Sequence, residues 1–241
     1  MSLRHPTDRR DFLRSGSLSL AAMWMAACNS NGPKEAAKLL KYAEQQNESL
    51  EMWLVRHTAI DQGSPGAIIA KNKFPSYFVS SSVPMWDTTT RGVWRLEVGG
   101  MVQRPMSFTL DELMQLPRHA QRVNHFCVEG WNAVAEFAGV RLSDIAAVVR
   151  PDPQAKCVDF QSFDSGYHES WDMHSAMHPQ TLVVYAKDNE LLSPAYGAPA
   201  RVQSPIKLGY KNTKYLTRIV FMPERNGGYW TDKGYEWFGG T

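Results

Sequence analysis

Cys127, in the stretch Asn124-His125-Phe126-Cys127-Val128-Glu129-Gly130-Trp131, is the residue of this 241-residue chain best placed to do chemistry. Its thiolate is a soft ligand for a transition metal and also a nucleophile. His125 lies two positions earlier, so on an extended segment both side chains leave one face while Phe126 and Val128 take the other. In the metal reading His125 tunes the sulfur from behind; in the alternative it is the base of a cysteine–histidine thiol enzyme. A second cluster runs from Gly197-Ala198-Pro199-Ala200-Arg201 through Gly209-Tyr210-Lys211-Asn212-Thr213-Lys214. It places cations at glycine-permitted bends, where amides and side chains suit an organic phosphate. Together the two stretches predict a metal gripped through sulfur and a basic loop gripping the phosphate of its organic cofactor. Tyr167-His168-Glu169-Ser170-Trp171-Asp172-Met173-His174 carries imidazoles and carboxylates but no four-ligand zinc spacing. Tyr167 and His168 are expected instead to shape the pocket and reach substrate.

These residues need a frame of strands. Trp94 to Val98 alternates as a strand, and Thr109 with Glu112 three residues on has the form of a helix capping box. Lys156 to Phe163, Thr181 to Ala186 and Leu216 to Met222 read as further strands, with Cys157 a small buried residue in the first of them. Asp188-Asn189-Glu190 reads as a turn. Asn132 to Phe137 and Leu142 to Val149 read as short helices separated by Gly139. Lys34 to His57 has helical periodicity without internal Pro or Gly, in one or two pieces. Tyr77, Phe78, Met85 and Trp86, in a turn-rich segment, either line the pocket mouth or fill core. Many short strands with small helices, and no regular strand–helix alternation, predict a mixed α+β domain over a doubly wound sheet.

Composition narrows the partners. The full chain has 26 basic and 24 acidic side chains; without residues 1–27 each falls to 22. No nucleic acid is expected, because that partner demands a positive surface. Arg9-Arg10-Asp11-Phe12-Leu13-Arg14 before a short apolar run resembles a twin-arginine export signal over residues 1–27. Periplasmic localisation follows as the expectation. Met25-Ala26-Ala27-Cys28 also resembles a lipoprotein processing site, so a lipid anchor at Cys28 stands beside simple cleavage after Ala27. An oxidising compartment also permits a Cys127–Cys157 disulfide. The chain thus divides into an export signal (1–27), a tether with a helical segment (28–73) and a catalytic domain (74–241).

Cys127-Val128-Glu129-Gly130-Trp131, then Gly197-Ala198-Pro199 with Arg201, then Gly209-Tyr210-Lys211 with Lys214, and finally Gly228-Tyr229-Trp230 resemble, in that order, the molybdopterin-binding domain of the sulfite oxidase family. The likeness is nearest to the branch containing the periplasmic methionine sulfoxide reductase catalytic subunit, and covers Val93 to Trp230. It implies a mixed-sheet sulfite oxidase-like fold in which Cys127 gives its thiolate to molybdenum. It places Ser162, Tyr196, Arg201, Lys211, Asn212, Thr213 and Lys214 against molybdopterin, with Lys214 and its neighbouring amides on the phosphate. The family often has His or Asn where this chain has Tyr196, and Pro84-Met85-Trp86-Asp87 stands near the place of an Asn-Asn-x-Tyr-Glu element in the sulfoxide reductase branch.

The resemblance further implies oxygen-atom or two-electron transfer on a sulfoxide or other small substrate. The sequence has no Cys-x-x-Cys-His haem signature and too few cysteines for an iron–sulfur cluster. A separate haem-containing or quinone-linked membrane partner is therefore expected. A non-enzymatic periplasmic binding or assembly protein is the remaining alternative.

Overall fold

The computed structural model describes residues 34–55, 73–164 and 166–241. The export signal, Cys28 and His57 lie outside them. The chain divides into an N-terminal unit ending at Ser49 and a larger unit from Leu50 to Thr241. Helix α1 (Lys34–Val55) is one uninterrupted helix. Among the described residues no helix is long and apolar enough to cross a membrane.

Two five-stranded sheets build the larger unit. The first has the order β2 (Met106–Thr109), β1 (Arg95–Gly100), β10 (Leu216–Met222), β5 (Cys157–Ser162), β6 (His168–Asp172). Its β1–β10 pair is parallel, with Glu97 opposite Arg218, and its other pairs are antiparallel. The second orders β3 (Arg118–Phe126), β4 (Asn132–Arg141), β7 (Leu182–Lys187) and β8 (Glu190–Leu191), with β9 (Arg201–Gln203) also paired to β7. The short helices are α2 (Thr88–Arg91), α3 (Leu110–Met114), α4 (Leu142–Val149) and α5 (Met173–Ala176). One mixed and one antiparallel sheet with inserted helices make this the expected α+β class.

Apolar alternation puts both sheets on one core. Leu96 and Val98 of β1, Phe160 of β5 and Ile219 and Phe221 of β10 bury against Val140, Val183 and Tyr185, with Ile145 and Val149 of α4 closing it. The opposite face of the second sheet buries Val123, Ala135, Phe137, Leu182 and Val184 under Phe74. A strand covered on both faces needs an unbroken apolar run, which is why β7 lacks alternation. At α3 the capping box forms in full: Glu112 accepts from Thr109 N at 2.7 Å, and Thr109 Oγ1 accepts from Glu112 N at 3.2 Å.

Asn132–Phe137 is strand, not the expected helix. Its Ala and Glu content favours helix locally, but Ala133, Ala135 and Phe137 bury at a spacing of two, and β4 pairs with β3 along its length and with β7 from Phe137. Gly139 is no separator. It sits at a register shift where a side-chain carbon would come within 2.0 Å of the Val183 carbonyl oxygen, so only glycine lets β4 and β7 approach there.

Candidate active site

The hairpin between β3 and β4 presents the cysteine. Cys127 N donates to Trp131 O at 2.9 Å and Gly130 N to Cys127 O at 3.0 Å, closing a tight loop with Gly130 at φ +85°. Cys127 and Cys157 are both free: the former is half-buried on this loop, the latter buried at the start of β5 in the other sheet. The Cys127–Cys157 disulfide is therefore not formed. Glu129 is exposed; its carboxylate lies 3.9 Å from the Cys127 sulfur and accepts from Trp131 Nε1 at 3.0 Å. Burial, with a contribution from the Glu129 charge, holds the thiol above its ordinary range. A thiol held up in this way is not prepared as a free thiolate nucleophile.

His125 does not activate the sulfur either. It is buried against the rings of Phe74 and Trp131, and its Nδ1 pairs with Gln203 Nε2 at 3.2 Å. Burial, reinforced by the charges of Arg201 and Lys214, pushes its pKa down to about 3, so the ring is neutral. An amide donating to Nδ1 leaves the proton on Nε2.

Beyond His125 lies a positive group. Gly197, at φ +104°, lets the chain pass where a side-chain carbon would meet Lys214 Cβ at 2.8 Å. Val202 N donates to Thr213 O and Leu216 N to Ala200 O, stitching β9 to the segment before β10. Arg201 is 4% exposed, and its guanidinium reaches only carbonyl oxygens: Tyr196 and Asn212 at 3.3 Å and Val202 at 3.4 Å. Burial lowers its pKa to about 10 and that of Lys214 to about 7. Lys214 Nζ donates to Ala195 O at 3.2 Å and lies 5.7 Å from the Phe78 ring. Among the described residues no carboxylate forms an ion pair with either cation. The buried Thr213 Oγ1 and Tyr215 hydroxyl beside them have no partner. Two desolvated cations and two orphaned hydroxyls fit an anionic ligand rich in oxygen acceptors.

Other expected contacts fall elsewhere. Lys211 is wholly buried, and its ammonium meets Glu169 at 2.6 Å, so it is unavailable to a phosphate. Asn212 uses its side chain to accept from Ser204 N and to donate to Lys207 O and Leu208 O. The amides of Asn212 and Thr213 donate to Gly209 O and Lys211 O, so neither awaits an anion. Ser162 ends β5 beside Leu216, and its oxygen accepts from Asp164 N while its proton remains to be given. Tyr196 holds Arg201 through its carbonyl and stands edge-on to Phe74. Tyr167 donates to Tyr210 O, supporting the loop before Lys214. His168 pairs with Asp159 at 2.9 Å, which raises its pKa and engages the ring on β5. Among the described residues no group of three or more His, Cys, Asp or Glu is placed to hold a metal ion.

Gln203, Asp164 and Tyr215 belong to the site but carried no sequence signal. Asp164 is buried and accepts from Val79 N at 2.9 Å, Ser80 N at 3.2 Å and the Ser80 hydroxyl. The segment through Tyr77 and Phe78 is thereby drawn over Lys214, with Tyr77 stacked on Trp131 at 6.0 Å. That placement makes Tyr77 and Phe78 lining of the mouth, whereas Trp86 packs edge-on to Phe163.

A half-buried cysteine on a hairpin, together with buried cations that no carboxylate contacts, in a frame of one mixed and one antiparallel sheet, defines a cofactor-binding domain of the sulfite oxidase type. Residues 81–230 match the oxidoreductase molybdopterin binding domain, and the chain belongs to that family of oxidoreductases. It is 35% identical over 238 residues to a provisionally named protein-methionine-sulfoxide reductase subunit, YedZ1, of Azospira oryzae, covering 97% of this chain and 88% of that protein. It is 31% identical over 152 residues to the protein-methionine-sulfoxide reductase catalytic subunit MsrP of Ralstonia nicotianae, covering 57% of this chain and 46% of the relative, so it spans about half of that protein. The sulfane dehydrogenase SoxCD of Paracoccus pantotrophus shares the fold, with a TM-score of 0.52 at 23% identity over 54% of this chain and 38% of that one. The expected kinship with the sulfoxide reductase branch of the sulfite oxidase family holds.

Proposed function

We propose that this chain is a molybdenum- and molybdopterin-dependent oxidoreductase of the periplasm, carrying out oxygen-atom or two-electron transfer on a sulfoxide or other small substrate. The observation that supports it most is the Arg201–Lys214 pair, desolvated with no carboxylate in ion-pair contact, Asp164 acting on Lys214 only from a distance, and accompanied by the unpartnered hydroxyls of Thr213 and Tyr215. Burial of that kind is costly unless an anion completes it. When bound, the cofactor supplies a metal able to exchange two electrons and an oxygen atom.

The chain's own residues divide the remaining work. Cys127 offers the sulfur ligand from a loop fixed at both ends by backbone hydrogen bonds. Arg201, Thr213 and Lys214 hold the anionic tail, while Ser162 and Tyr215 offer hydroxyls to the polar edge of the ring system. Neutral His125, locked by Gln203, backs the cysteine strand without supplying charge. Tyr77 and Trp131 form an aromatic rim at the mouth. Export through the twin-arginine-type signal, a lipid anchor at Cys28 and electron exchange with a separate haem-containing or quinone-linked membrane protein complete the reading.

Metal analysis and fluorescence of the oxidised pterin, on protein matured in an exporting host, test it. The expected result is about one molybdenum and one pterin per chain. Folded protein with neither would overturn the reading in favour of a thiol enzyme or a binding protein.

A further inference from the structure

Among the described residues, the charged side chain in contact with the Cys127 sulfur is an acid. Glu129 is exposed, and Trp131 Nε1 fixes the same carboxylate oxygen that lies 3.9 Å from the cysteine sulfur. Trp131 is itself held by its carbonyl on Cys127 N and by its ring on Tyr77. The carboxylate cannot swing away without breaking the indole hydrogen bond. Apolar side chains stand exposed with it: Val128 is 48% and Tyr77 60% exposed. Arg201 lies buried, with its donors on carbonyl oxygens, and Lys214 is directed at Ala195 O.

From this arrangement we infer that Glu129 is a specificity-determining residue: it excludes oxyanions from the mouth and leaves the site to uncharged substrates with an apolar stem. A fixed charge a few ångströms from the entry point repels an incoming anion, and the Tyr77–Trp131 stack gives an apolar stem a surface to rest on. The naming of a substrate class rests on the oxidoreductase reading above; the exclusion of anions at Trp131 does not.

Quenching of Trp131 fluorescence in the purified protein, identified by difference from W131F, separates the two. The probes are iodide, an anion, and acrylamide, which is neutral. E129Q keeps the side-chain shape and removes the charge. At low salt it is expected to raise the iodide quenching constant about three- to fivefold with the acrylamide constant unchanged, and the difference is expected to shrink in about 0.5 M salt. Iodide quenching that does not change, or that rises together with acrylamide quenching, overturns the inference. In cofactor-loaded enzyme, E129Q should lower KM for sulfite about fivefold at constant kcat and leave KM for dimethyl sulfoxide in place; equal changes for both compounds also overturn it. If the protein carries no cofactor, the function proposed above fails while the quenching experiment still decides the role of Glu129.

Discussion

Lys211 Nζ and Glu169 Oε2 lie 2.6 Å apart with both side chains fully buried, so the first lysine of the basic loop belongs to the scaffold and the second, Lys214, to the site. Removing one partner of such a pair strands the other. Lys211→Met is expected to cost about 3–5 kcal/mol of stability, and Glu169→Gln in the same chain should restore part of it. Urea unfolding checks both, and pterin per folded molecule should not change.

Lys214→Met is expected to do the reverse. It removes a charge-assisted contact worth about 2 kcal/mol, roughly thirtyfold in affinity, while relieving a desolvated ammonium. Pterin content should fall steeply, with unfolding stability equal to or above that of the parent. A Lys214→Met protein that keeps full pterin would remove Lys214 from the cofactor site.

Cys127→Ser should leave the fold within about 0.5 kcal/mol and reduce activity by more than about a hundredfold. Cys157→Ser, in the other sheet, should change activity little, because its thiol is neither bridged nor near the hairpin. Parallel denaturation curves and turnover assays distinguish the two.

Gly197→Ala tests the passage of the chain beneath Lys214. A positive φ of 104° and a carbon 2.8 Å from Lys214 Cβ should together cost roughly 1–3 kcal/mol and lower pterin content. Calorimetry with pterin release measures both.

His125 sets an acid limit. Its folded pKa of about 3 lies below the ordinary value of about 6.5, so between those values the unfolded chain binds one more proton than the folded one. Stability contributed by this residue is present above about pH 6.5 and is lost as pH falls toward 3, at up to about 1.4 kcal/mol per unit. His125→Gln should flatten the dependence of unfolding free energy on pH between 6 and 4 by about one proton. An unchanged slope would mean that the histidine titrates normally.

Local signals were legible wherever one residue's own chemistry decides. The Thr109–Glu112 cap, the apolar run of β7, the turn at Asp188 and Asn189 and the extended segment leading to Cys127 could all be read in the chain. Asn132–Phe137 could not, because its strand state comes from two neighbours distant in sequence. Within the basic loop, charge alone did not separate Lys211 from Lys214; their different fates depend on Glu169, some forty residues earlier. Gln203 and Asp164 were silent for the same reason, since each acquires its partner only when β3 or the segment at Val79 folds against it.

The parallel pairing of β1 with β10 joins the first strand of the larger unit to the last. Translation must therefore proceed past Met222 before that sheet can be completed, and Thr213 to Leu216, which lead into β10, emerge just ahead of it. Such late, long-range closure slows folding. It also means that the frame around Thr213 and Lys214 is not assembled until β10 has left the ribosome, so any group held there is enclosed only after that strand has docked.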